Sequence, residues 1–165
     1  MNYVLDLDTL IAHMQEQIAS LKNMNSVLDN QEDAVRRNDV DRVLETISQL
    51  QGELVERVRL EGSREHLMTQ WAGELGCTPE EVTVSKLVHL DPIRGDKLKA
   101  LSLELHQAAT EVQAKQQYCK ALLHSELRFI SHLVDALYPG RNAGTYSPGD
   151  STPQMQPAMS LDVRG

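Results

Sequence analysis

The 165-residue chain carries a formal net charge of −8, a field that repels nucleic acid and anionic membrane surfaces alike. Four Tyr, one Trp and one Phe are too few aromatics for a base-stacking groove or a large globular core. The remainder is dominated by Leu, Val, Ile, Ala, Glu, Gln and Arg, a mixture suited to one domain of long helices packed along narrow seams.

The opening MNYVLDLDTLIAHM places Asp6 and Asp8 where a secretory signal needs a basic segment and an unbroken apolar run. No stretch has the length of a membrane span, so no membrane insertion is expected. Cys77 and Cys119 lie far apart without an export signal. Free thiols in a reducing cytoplasm are the expectation.

Apolar residues recur at Leu7, Leu10, Ile11, Met14, Ile18, Leu21, Leu28 and Val35, a three-four alternation that forms one helical stripe over about residues 5–36, interrupted by Asn25 and Glu32. Asn38 or Asp39 in RRND can cap a second helix, over about 39–75. Its stripe runs through Val40, Val43, Leu44, Ile47, Leu50, Leu54, Val58, Leu67, Met68 and Trp71. Folding the hairpin at residues 37 and 38 sets Val35 opposite Val40, Leu28 opposite Ile47 and Leu21 opposite Leu54. Two such helices leave much of each stripe wet, so a third helix must cover them.

Gly76 stops the second helix, and Thr78 with Glu81 forms a capping box around Pro79 at the first helical position, predicting a short helix over 79–89. Pro92 and Gly95 then break the chain before a third long helix, about 95–138, which ends where Pro139 and Gly140 cannot continue it. The expected fold is therefore all-α. It is a long antiparallel three-helix bundle over 1–138, with a short extra helix between its second and third helices and a tail over 139–165.

Along the third helix the apolar positions from 98 to 112 cover an arc of roughly 80°, whereas those from 119 to 137 spread over roughly 160°. Leu122, Leu123, Phe129, Ile130, Leu133, Val134 and Leu137 make that second part too apolar for a narrow seam. Either it packs against every other helix of its own bundle, or it receives a partner helix. The tail is too rich in Pro and Gly to form a core, yet it carries Met155, Met159, Leu161 and Val163 at the spacing of a segment that orders on binding.

Catalytic and metal chemistry find no foothold. His13, His66, His89, His106, His124 and His132 include no pair three or four apart, and no Cys stands at ligand spacing from any of them. The H-x-E at His124 and Glu126 lacks a downstream P-C-x-x-C, and no phosphate-binding Gly loop or G-x-S-x-G occurs. No cofactor or metal is expected and the chain is not read as an enzyme. Cys119 is assigned to packing. Two alternatives remain: a coiled-coil adaptor or homodimer that uses the same stripes to self-associate, and a helical phosphotransfer protein with His106 as its one candidate.

The helical hairpin, the Gln-, Lys- and Leu-rich third helix, "GTYSPGD" at Gly144 to Asp150 and the terminal "SLDVRG" at Ser160 to Gly165 together resemble the FlgN-type flagellar export chaperones over the whole chain. Gln116, Gln117 and Tyr118 stand where that family commonly has Asn. The resemblance implies an acidic, cytoplasmic, non-catalytic helical protein. Its partners are hook-associated proteins, held by their terminal helical segments and delivered to the type III export gate. It also implies client binding towards the C-terminus, on the end of the third helix and the tail, and docking at the export gate through Tyr146.

Overall fold

The computed structural model describes residues 6–140, and the described residues contain helices and no strand. Helix α1 spans Leu7–Arg36, α2 Val40–Leu75, α3 Val84–Leu90 and α4 Pro92–Leu137, with a 3-10 turn at Pro79–Glu81. By its contacts the chain divides into two units, residues 1–127 and residues 128–165.

Local chemistry sets the boundaries. Asp6 caps α1 by accepting from the Thr9 N–H at 3.3 Å, and Asp39 caps α2 by accepting from the Arg42 N–H at 3.0 Å. Between them Asn38 takes a left-handed φ of 55°, a conformation Asn tolerates better than most residues, which lets the hairpin reverse within three residues. Gly76, at φ 65°, ends α2.

The helix expected over 79–89 is broken in two. After the 3-10 turn, Val82 and Thr83 leave helical geometry, and the Thr83 hydroxyl accepts from the Lys86 N–H at 3.3 Å to cap α3. A β-branched pair with a hydroxyl that bonds the backbone ahead of it favours this restart over a continuous helix. The third long helix also begins earlier than expected. Asp91 accepts from the N–H groups of Ile93 and Arg94, both at 3.1 Å, and Pro92 sits at the first position of α4, where it starts a helix rather than breaking one. Gly95 is buried inside α4. A Cβ there would lie 2.6 Å from the Val88 Cα, so the glycine is what allows α3 and α4 to pack this closely.

Within the first unit α1 carries most of the core. Leu7, Leu10, Ile11, Met14 and Ile18 join Trp71 and Ala72 of α2, Val82, Leu87 of α3, and Leu98 and Leu101 of α4. Further along, Leu21, Met24 and Leu28 meet Val112 and Cys119. Helix α4 runs alongside α1 in the same direction: Arg94 binds Asp8 at 3.0 Å, Lys22 binds Glu104 at 2.8 Å, Lys115 pairs with Asp29, and Arg36 donates to the Tyr118 hydroxyl at 2.8 Å. These ion pairs are exposed, so they fix register more than they add stability.

The hairpin of α1 and α2 keeps the expected height, with Arg59 reaching Glu16 at 3.4 Å and Ser20 donating to Glu53 at 3.5 Å. The face it uses is different. Val40, Leu44, Ile47, Leu54 and Val58 are exposed, while Thr46 and Leu60 are buried and Val43 and Leu50 half-buried. The expected stripe thus holds at Val43, Leu50, Leu67, Met68 and Trp71, which are buried or half-buried, and fails at Val40, Leu44, Ile47, Leu54 and Val58, so Val40 and Ile47 stay exposed rather than closing layers on Val35 and Leu28.

Candidate functional site

The described residues expose two apolar surfaces. The first lies on the last three turns of α4, in the second unit. Phe129 is 59% exposed, Leu137 71%, and Ile130 and Leu133 about half; Val134 is half-buried. Their spacing puts Phe129, Ile130, Leu133 and Leu137 on one face of the helix. Aromatic and branched aliphatic side chains grouped this way bind through desolvation, with no chemistry to perform. Leu122 and Leu123, on the part of α4 that belongs to the first unit, are half-buried. The remaining expected site residues, Tyr146, Met155, Met159, Leu161 and Val163, lie outside the described residues. Leu127 on α4 and Tyr138 just past its end, neither of them an expected site residue, are also exposed.

The second surface is within the first unit. A groove between α2 and α4, floored by α1, encloses about 700 Å³ and is lined by Leu21, Leu54, Val58, Leu60, Leu105 and Ala109 with Arg57, Arg64 and His106 among its polar residues. The sequence hides it, because periodicity places Leu54 and Val58 on the α1–α2 seam. A signal for it was present: α2 carries two stripes, and only one can face α1.

The candidates for chemistry take structural places. Cys119 is buried and its thiol donates to the Leu28 carbonyl at 3.5 Å; burial pushes its pKa up, as expected of a packed thiol rather than a nucleophile. Cys77 is half-buried. His106 is exposed on the groove wall. His13 is buried with its Nε2 unpartnered. Burial lowers its pKa first of all; Glu16 opposes that shift, while Arg59 and Arg64 add to it. Among the described residues no group of three or more His, Cys, Asp or Glu could hold a metal ion, and no helix is long and apolar enough to cross a membrane.

No curated protein and no solved structure matches the chain. The family model described as "FlgN protein" matches residues 1–154, nearly the whole length. The chain belongs to the FlgN family, which gives it a role as a flagellar export chaperone.

Proposed function

We propose that this chain holds hook-associated subunits, the proteins that join hook to filament, in the cytoplasm by their terminal helical segments and delivers them to the type III export gate. The observation that carries the reading is the exposure of Phe129, Ile130, Leu133 and Leu137 on one face of α4, in a chain of the FlgN family. An amphipathic client helix laid on that face would bury both apolar stripes by helix-in-groove packing. The stripe so covered is the one the client needs for self-assembly, so premature polymerisation is blocked for as long as the complex lasts.

Met155, Met159, Leu161 and Val163 are proposed to wrap the bound client, the Met side chains adapting to an irregular surface. Ordering a Pro- and Gly-rich segment costs free energy at the moment of binding, which holds affinity down and lets the client be surrendered at the gate. Tyr146 is proposed as the docking residue for that gate.

The test compares the full chain with a version ending at Tyr138 by titration calorimetry against purified hook-associated proteins. The truncated chain should keep its helical circular dichroism and bind at least about tenfold more weakly, the loss of roughly one well-packed anchor. Undiminished affinity contradicts the role given to the tail.

A further inference from the structure

The exposed stripe of α2 is a coiled-coil seam that no helix among the described residues covers. Val40, Leu44, Ile47, Gln51, Leu54 and Val58 follow one another at intervals of four and three, the repeat that keeps one face of a helix against a neighbouring helix. The seam lies about 110° around α2 from the stripe of Val43, Thr46, Leu50 and Leu60 that faces the interior. It runs for about 27 Å, some five turns. Its last two apolar members, Leu54 and Val58, also form one wall of the groove whose opposite wall is Leu105 and Ala109 of α4. Ala109 and Ser102 on that wall are small, leaving room for a backbone to approach.

The charges around the groove indicate what fills it. Arg64 is held by Glu61 at 2.6 Å. Arg57 lines the groove half-buried and makes no hydrogen bond or ion pair among the described residues, but it lies in the field of the same Glu61, so two guanidiniums share one carboxylate and the lining keeps a positive charge in excess. A half-buried guanidinium beside an apolar floor is complemented by a carboxylate on whatever occupies the groove. A second copy of the chain fits less well. Antiparallel pairing of two α2 helices that stacks Val40 on Val58 and Leu44 on Leu54 sets the polar Gln51 against Ile47, twice by symmetry.

We propose that the α2–α4 groove and the seam leading into it are a docking site for one amphipathic helix of another protein. That helix would have apolar residues at three-four spacing and a flanking Asp or Glu for Arg57. This deepens the chaperone reading and rests on it in naming an exported client as the source of the helix, at a place separate from the end of α4.

The test uses the full chain expressed in a flagellated host, with Leu54 replaced by the photo-crosslinker p-benzoylphenylalanine and, as control, Gln49 replaced likewise on the opposite side of α2. The expected product at Leu54, absent at Gln49, maps to an amphipathic helix of a different protein that carries an acidic residue. Arg57→Glu should lower its yield at least about tenfold, and an acid-to-Lys change in the mapped helix should restore it. Leu54 is already 51% exposed, so the substitution leaves the core intact; circular dichroism of each variant checks this. A product with a second copy of the chain, a product with residues 141–165, no product above the control, or insensitivity to Arg57→Glu each overturns the proposal. A product that meets every condition but comes from a protein outside flagellar export keeps the groove and overturns the exported client as the source of the helix.

Discussion

His13 lies on the α1 stripe between Leu10 and Met14, buried, with a ring nitrogen that no described residue satisfies. Its folded pKa is lowered from 6.5, so in the window between 6.5 and that lower value the unfolded chain binds a proton that the folded chain does not. Stability is therefore free of this penalty above 6.5, falls as the pH falls through the window, and levels off below the folded pKa. His13→Leu removes both the titration and the orphaned nitrogen. Chemical denaturation between pH 7.5 and 5 should show a shallower loss of stability for the variant than for the parent chain, and equal slopes would mean that His13 already finds water or a partner. The sequence did not disclose this residue, because a His beside an apolar stripe reads equally well as exposed. Nor did it disclose Met24, which is 1% exposed and fills the layer next to Asn25, where the stripe had seemed interrupted. Asn25 itself is half-buried, its Oδ1 unsatisfied; the interruption was legible, its burial was not.

Helix ends were legible wherever a residue's own chemistry sets its backbone, as with the Asp39 carboxylate before α2, the left-handed Gly76 after it and Thr78 with Glu81. They were misread where the outcome depends on another element. Pro92 and Gly95 are breakers by local rule, yet Asp91 turns the first into a helix start and the approach of Val88 makes the second a packing requirement. Gly95→Ala separates these accounts. Helix propensity alone favours Ala by about 1 kcal/mol, but the added Cβ would meet backbone, which cannot rotate away. Urea denaturation should show a net destabilisation of about 1–3 kcal/mol; a stabilised variant would mean that α3 and α4 are not held this close. The rotation of α2 was beyond the sequence for a related reason. The expected stripe is wide, and the burial of Thr46 and Leu60 beside Val43 and Leu50 turns only one edge of it inward, leaving Val40, Leu44, Ile47, Leu54 and Val58 exposed.

For the whole molecule, an all-helical fold and a chaperone family were readable from periodicity, charge and a resemblance that spans the whole chain, and residues 1–154 match the FlgN family model. What periodicity cannot count is how many helices are available to cover each stripe, and so it missed the groove between α2 and α4 while marking the end of α4. The central claim is that the end of α4 works by giving up its exposure to a client helix. The most direct measurement is the affinity of the full-length Phe129→Glu, Leu133→Glu double variant for a hook-associated protein, by titration calorimetry. Both residues are exposed, so helicity should be unchanged while binding weakens at least about thirtyfold, the effect of losing a hot spot. Affinity equal to that of the unmodified chain would contradict the account.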